Sequence, residues 1–228
     1  MSALSEFVDY VSTADHWSGR NGITHRIVDH VKISVSAVAF AAAVGIPPAL
    51  WLGHIRRGGV LATAVINIGR AVPSFAILAL VFPLSLKYGF GLGFWPTLVA
   101  LVFLAIPPIF TNAYAGIVGV DEAVVDAARG MGMRGGDVLR KVETPNALPL
   151  ILTGVRVSSV QVVATATLGA FVGFGGLGAF INEGFRQQKD GKLLTGAVLV
   201  AMLAIAVELA FGVVQRRLTP WLTRKGAR

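Results

Sequence analysis

Cysteine is absent from this chain of 228 residues, and charged side chains are scarce. Without a thiol there can be no disulfide framework, no thiolate metal site and no catalytic cysteine. Charged residues make up 14% of the sequence and hydrophobic residues 54%, with a mean hydropathy of +0.70. A soluble domain carries roughly a quarter charged residues. The composition therefore predicts a protein embedded in a lipid bilayer.

The net charge of +8 does not indicate nucleic-acid binding, because the basic residues cluster at the ends of apolar runs and form no patch with interleaved aromatics. No cleavable signal peptide is evident, since the first 30 residues contain four acids and no basic start before an apolar core. Leu4, Phe7, Val8 and Val11 recur at helical spacing. For residues 1–30 this favours either an amphipathic helix on the extracytoplasmic membrane surface or a loosely ordered tail.

Five apolar segments are long enough to cross a bilayer as helices, which takes about 20 residues. The predicted spans are residues 33–53, 59–86, 94–118, 148–172 and 193–214. Six spans are the alternative, if the second segment is split or the amphipathic start inserts. The fold predicted for residues 31–220 is an all-α transmembrane bundle, followed by a basic tail at 221–228.

Basic residues set the predicted orientation, because cytoplasmic loops are enriched in lysine and arginine. Segments 54–58, 121–145 and 215–228 together hold eleven of them, and the opposite set of segments holds six that acids offset. The amino terminus is therefore expected outside and the carboxyl terminus inside. This orientation places residues 121–145 in the cytoplasm.

Two glycine groups, "GMGMRG" at 130–135 and "GFGGLG" at 173–178, fit the spacing of a dinucleotide-binding loop. Such a loop needs a strand before it, a helix after it and an acid about 20 residues further on. Neither context supplies a strand, so the chain itself is not expected to bind a nucleotide. The second group favours either a turn into a re-entrant or surface segment at the extracytoplasmic mouth, or close helix packing.

Residues 121–145 are predicted to form two short helices joined by a bend. Asp121 is a candidate N-cap for the first helix, which ends at glycines. Asp137 is available to cap the second, which is expected to stop before Pro145. The small side chains in this segment would let another protein approach the backbone closely: Ala127, Ala128, Gly130 and Gly132. A docking surface and a solvated connecting loop are both compatible with this pattern.

At these residues the sequence resembles the permease subunits of ABC importers. Their cytoplasmic signature reads E-A-A, three residues, G, nine residues, then I-x-L-P. The same spacing is complete in "DAARGMGMRGGDVLRKVETP" at 126–145, with Asp for Glu, Val for Ile and Thr for Leu. The resemblance implies that this loop is the coupling helix that fits a cleft on an ATP-binding subunit. The residues it assigns to coupling are Asp126, Ala127, Ala128, Gly130, Gly132, Val142 and Pro145.

Within that superfamily the sequence is similar to the osmoprotectant branch, which imports glycine betaine, choline or carnitine. Segments such as "GRAVPSFAILAL" and "TPNALPLILTGVR" carry this resemblance, which covers about residues 30 to 220. Permeases for methionine and other small solutes share much of the layout. The resemblance implies alternating access in the cell inner membrane, with a second permease, identical or paralogous, and an extracytoplasmic solute-binding protein. ATP and magnesium are expected on the partner ATPase, so this chain binds no cofactor and is not an enzyme.

Three residues within the spans are candidates for the translocation path: Arg70, Pro73 and Glu208. Arg70 lies roughly 15 Å into the second span, where an unpaired charge costs at least ~3 kcal/mol. It either pairs with Glu208, or each side chain snorkels towards its own interface. Arg156 is expected to snorkel. Pro73 and the other span prolines either shape a gate or fit helices together.

The four histidines have no metal-ligand spacing and are expected to be ordinary polar surface residues, so no metal site is predicted: His16, His25, His30 and His54. Two other classes of function are open. An ion-coupled secondary transporter needs intramembrane acids and often an internal repeat, and only Glu208 qualifies. The second open class of function is a membrane subunit that merely anchors a partner.

Overall fold

The computed structural model describes residues 3–57, 59, 63–64, 67, 71 and 73–220, and these contain no strand. A 3₁₀ turn at Ala14–Trp17 follows the first helix. The helices are α1 Ala3–Ser12, α2 Ile23–His54, α3 Ser74–Lys87, α4 Phe94–Val118, α5 Glu122–Gly130, α6 Gly135–Val172, α7 Gly178–Gln187 and α8 Asp190–Leu218. The predicted all-α fold is confirmed.

Four helices, α2, α4, α6 and α8, are long and apolar enough to cross a membrane. Helix α2 begins ten residues before the predicted first span, at Ile23. Helix α3 is a shorter apolar helix of 14 residues at the end of the predicted second span. Most of the remainder of that span, including Arg70, lies outside the described residues, as does the tail at 221–228. The count of five spans and the orientation stay predictions.

Small side chains let α2, α4 and α6 pack closely. Ala37, Ala41 and Ala105 are fully buried where the three helices meet. On α6, a Cβ added at Gly154 would lie 2.8 Å from Asn112 Cβ and 2.9 Å from Pro108 O, which is too close for any larger residue. In lipid, helices associate by such close packing, because the acyl chains are as apolar as the helix surfaces.

Helix α6 passes through Pro145, where the sequence predicted a stop. It consists of an α-helical turn Gly135–Val138, a π-helical turn Leu139–Glu143, the α-helix Thr144–Thr165 and the 3₁₀ segment Ala166–Val172. The prediction was wrong because the π turn shifts the hydrogen-bond register, and Pro145 then falls in the first turn after it, where proline is tolerated. Asp137 is not the cap but lies inside the first turn, 2.7 Å from Lys141 Nζ.

Glycines turn the chain between α6 and α7, at the end of the bundle opposite α5. Gly173 and Gly176 have φ of +84° and +61°, which only glycine adopts without strain. A Cβ at Gly178 would lie 2.2 Å from Thr167 O. The "GFGGLG" group therefore contains both a turn and a close packing contact, and its place at the extracytoplasmic mouth stays a prediction.

His30 is fully buried, so its prediction as a surface residue was wrong. Its Nε2 lies 2.9 Å from Val163 O, and the Leu177 N–H donates to its Nδ1 at 3.2 Å. A carbonyl can only accept and an N–H can only donate, so these partners fix the tautomer with the proton on Nε2. His30 thereby joins α2 to α6 and to the glycine turn.

Helix α1 forms, which is the first of the two alternatives for residues 1–30, and it lies against the start of α8. The carboxylate of Glu6 accepts from the Gly191 N–H at 3.3 Å. An acid at the N-terminus of a helix is favoured by the helix dipole. Its location on the extracytoplasmic membrane surface stays a prediction.

His30→Ala should lower the stability of the purified, detergent-solubilised protein by roughly 1–3 kcal/mol, because it leaves buried backbone groups without a partner. The matched control is His25→Ala, since the His25 side chain is half exposed and pairs with Asp29 on its own helix at 3.4 Å. Thermal unfolding of the two variants measures the difference. Equal melting temperatures would contradict the linking role of His30.

Candidate ATPase-coupling surface

Helix α5 has the ends that the sequence predicted. Asp121 caps it, since its Oδ1 accepts from the Ala123 N–H at 2.9 Å. At the other end Met133 N donates to Ala128 O at 3.2 Å, and Gly132 has a φ of +86°. This is the arrangement in which a left-handed residue ends a helix and satisfies its last carbonyls.

One face of α5 packs against the start of α6. Val125 and Ala128 are buried with Val120 and Val138 in a small apolar cluster, against which Val142 is partly buried. Two of the predicted coupling residues, Ala128 and Val142, therefore face this cluster. Because these contacts fasten α5 to the first turns of α6, a displacement of one helix is transmitted to the other.

The other face of α5 is exposed and carries small and apolar side chains between three charged ones, Glu122, Asp126 and Arg129. Among the predicted coupling residues, those at the surface are Asp126, Ala127, Gly130, Gly132 and Pro145. Beside them Val124 is 47% and Met131 is 79% exposed, although both side chains are apolar. The sequence analysis did not single out these two residues, although they lie beside the small ones. We call Val124, Ala127, Gly130 and Met131 the α5 patch.

The C-terminal end of α2 holds both ends of the α5–α6 segment. His54 Nδ1 lies 2.5 Å from Glu143 Oε2, and the Glu143 side chain is only 1% exposed. Arg56 contacts Glu122 Oε1 at 3.0 Å and donates to Val120 O at 3.2 Å. Sequence reasoning missed both contacts because the partners are separated by 89 and 66 residues and share no local pattern.

Glu208 is bound by Arg156, a contact that the sequence did not predict, and the pairing of Arg70 with Glu208, one of the two alternatives given above, stays a prediction. Arg156 Nε donates to Glu208 Oε2 at 2.9 Å, and Arg156 Nη2 donates to Glu208 Oε1. Two N–H groups of the guanidinium thus bind both carboxylate oxygens. Arg156 is therefore held in an ion pair, and the expectation that it only snorkels was incomplete. Arg70 lies outside the described residues, and Pro73 is exposed at the start of α3.

At the opposite end of the bundle, Glu183 on α7 joins α2 to α8. Its carboxylate contacts Arg26 Nη2 at 3.0 Å and Lys192 Nζ at 2.6 Å. Burial raises the pKa of Glu183, but the Lys192 ammonium and the Arg26 guanidinium more than offset it, so its pKa is lower than the ordinary value. The two cations therefore hold this carboxylate in its charged form.

A comparison with known families identifies the chain. The family of binding-protein-dependent transport system inner membrane components matches residues 41–224. The chain belongs to this family. As such it is a multi-pass membrane permease subunit of an ABC importer, a transport subunit and not an enzyme, which works with ATP-binding and substrate-binding partners.

Curated relatives of this permease subunit cover most of its length. It is 38% identical to the carnitine transport permease protein OpuCB of Listeria monocytogenes, over 86% of this chain and 88% of the relative. It is 35% identical to the glycine betaine/carnitine/choline transport system permease protein OpuCB of Bacillus subtilis, over 87% and 89%. The osmoprotectant import permease protein OsmY of Salmonella typhimurium is 32% identical, over 84% and 80%.

Solved structures confirm the fold. The permease fold of an inward-facing MetNI methionine ABC transporter matches with a TM-score of 0.77 and 22% identity, over 86% of this chain and 96% of that one. A second crystal form of the same transporter matches with a TM-score of 0.74 and 23% identity, over the same shares of the chains.

His54→Ala should loosen the α5–α6 segment by roughly 1–3 kcal/mol, because it leaves the buried carboxylate of Glu143 without its partner. The control is Lys141→Ala, which breaks an exposed pair with Asp137 on the same helix and should cost no more than ~0.5 kcal/mol. Hydrogen exchange across residues 121–145 in the assembled importer measures both. Equal protection in the two variants would show that the His54 contact does not hold the segment.

Acid should weaken the attachment of α7. Because the pKa of Glu183 is lowered in the folded protein, its contribution to stability is complete above the unfolded pKa of about 4.3. That contribution is lost as the pH falls through the lower pKa that Glu183 has in the folded protein. Glu183→Gln removes this titration, so its melting temperature should fall less between pH 7 and pH 3 than that of the unsubstituted protein. If the melting temperatures of the two proteins fell equally between pH 7 and pH 3, the stabilising role of ionised Glu183 would be contradicted.

Proposed function

We propose that this permease subunit imports osmoprotectant solutes such as glycine betaine, choline or carnitine, driven by ATP that a partner subunit hydrolyses. Support comes from relatives of 31–38% identity that are named for these solutes. ATP and magnesium belong to the partner, and this chain holds no cofactor. The importer is completed by a second permease, identical or paralogous, and by a solute-binding protein outside the inner membrane.

The observation that carries the proposal is the exposed α5 patch. It overlaps residues 126–145, the segment with the spacing of the E-A-A coupling signature. Val124 and Met131 are apolar, about half and mostly exposed respectively, and placed beside Ala127 and Gly130. A surface of small and apolar side chains lets a partner approach the backbone closely and bury apolar area. The partner that fits it is the ATP-binding subunit, in the cytoplasm under the predicted orientation.

Two routes carry a movement of α5 into the membrane. The buried contacts of Val125 and Ala128 with Val138 pass it to α6, which continues as one helix from Gly135 to Val172. The His54–Glu143 contact passes it to the end of α2. Closure of two ATP-bound subunits would thereby tilt both helices and switch the side on which the path between two permeases opens. This is alternating access.

Gly130→Trp should abolish docking without disturbing the permease itself. Gly130 is exposed, and a Cβ built there meets no atom within 4 Å, so the indole would project into the space that the ATPase occupies. Gly130→Ala is the matched control, because it adds only a methyl group in the same open space. We expect co-purification of the ATPase and solute uptake to fall roughly tenfold or more for Trp, a loss of about 1.4 kcal/mol or more in binding.

The alanine variant should retain both activities. Full co-purification and uptake by Gly130→Trp would exclude the α5 patch as the docking surface. Gly132 is a poorer position for this test, because its φ of +86° makes any side chain there strained.

The solute class is tested by uptake into proteoliposomes that contain the assembled importer. Radiolabelled glycine betaine, choline, carnitine and methionine are compared at low and high salt, with and without ATP. We expect ATP-dependent uptake of at least one of the first three and none of methionine. Uptake of methionine alone would overturn the osmoprotectant assignment, and uptake without ATP would indicate a secondary transporter.

A further inference from the structure

The Arg156–Glu208 pair is only partly covered by this chain. The side chain of Arg156 is 32% exposed and that of Glu208 is 43% exposed. Glu208 lies ten residues before the end of α8, which is roughly 15 Å along the helix. Arg156 faces it from within α6. Both groups fall within predicted spans, 148–172 and 193–214, where exposed charge is strongly unfavourable in contact with lipid.

The pair belongs to a polar stripe that continues to the end of α8. Glu208, Gly212 and Gln215 are spaced by four and three residues, which places them on one face of the helix, and Thr219 follows directly after its end. Gln215 is fixed by Arg156 Nη1 at 3.5 Å and by two oxygens of α6, those of Pro149 and Thr153. The stripe borders a cavity of about 410 Å³.

We propose that this cavity is a water-filled part of the translocation path and binds a solute that carries both a cationic ammonium group and a carboxylate. The proposal rests on the proposed function, because it names the solute class of that path. Arg156 presents further guanidinium donors to a carboxylate, and the oxygens of Glu208 attract a cationic group. A zwitterion placed across an ion pair adds no net charge at membrane depth, which lowers the cost of its passage.

Cysteine accessibility tests whether water reaches the cavity. The chain has no cysteine, so one introduced thiol reports on its own position. Gly212→Cys places the thiol on the stripe, where an added Cβ meets no atom within 4 Å. The matched control is Ala210→Cys, exposed on the same helix but on nearly the opposite side, since two residues turn an α-helix by roughly 200°.

The probe is a water-soluble methanethiosulfonate with a trimethylammonium group, applied to the assembled importer in inverted membrane vesicles. Only a thiolate reacts, and a thiol ionises where water reaches it, so Gly212→Cys should react roughly tenfold or more faster than Ala210→Cys. Saturating glycine betaine or carnitine should slow the reaction at Gly212→Cys. The unsubstituted importer gives the background from cysteines in the partner subunits.

Equal reaction rates at the two positions would overturn the assignment of the cavity to the path, and rates unaffected by either solute would overturn the binding site. Solute uptake by the unsubstituted importer reports separately on the proposed function. An importer that takes up carnitine while Gly212→Cys stays unreactive would contradict only the cavity proposal. Absence of uptake with a reactive Gly212→Cys would contradict only the function.

Arg156→Lys provides a second test, because lysine keeps the charge but loses the two-pronged geometry. We expect the KM for carnitine uptake to rise roughly threefold or more, with the amount of assembled importer unchanged, since a carboxylate bound at one point is held less well. A purely structural role for Arg156 predicts the reverse result, less assembled importer and an unaltered KM. That result would overturn the proposal.

Discussion

The contact between His54 and Glu143 fixes the position of the coupling segment relative to the membrane helices. Glu143 is almost completely buried, and its carboxylate reaches the His54 ring at 2.5 Å. A buried carboxylate needs a partner, because burial removes the water that would otherwise solvate it. The pair therefore couples the end of α2 to the π turn of α6, and a force on α5 reaches two membrane helices at once.

The π turn has a mechanical consequence of its own. The Thr144 N–H donates to Leu139 O five residues back, so the helix is wider there and continues past Pro145. If α6 had ended before this proline, only a loop would connect the coupling segment to the membrane helix. As one helix from Gly135 to Val172, it transmits rotation along its whole length. Proline thus marks a change of register in this chain and not the end of the helix.

Local signals explain which parts of this architecture could be predicted. Asp121 and the glycines after α5 set the ends of that helix through their own backbone preferences, and apolar runs locate the spans. His30 and Arg156 were misjudged because their partners, Val163 with Leu177 and Glu208, lie 52 to 147 residues away. No period or spacing encodes such contacts. They follow only from the packing of α2, α6 and α8.

Helix α8 shows why these distant charges matter. The residues of α8 that are buried within this chain, Gly191, Thr195, Gly196 and Val200, all lie in its first half, so apolar burial does little to fix the rest of the helix on the bundle. Polar contacts do this instead, through Lys192 with Glu183 near one end and Glu208 with Arg156 towards the other. The apolar remainder suits lipid or a second permease. The charged stripe does not suit lipid, and under the cavity proposal it is the part of α8 that faces water.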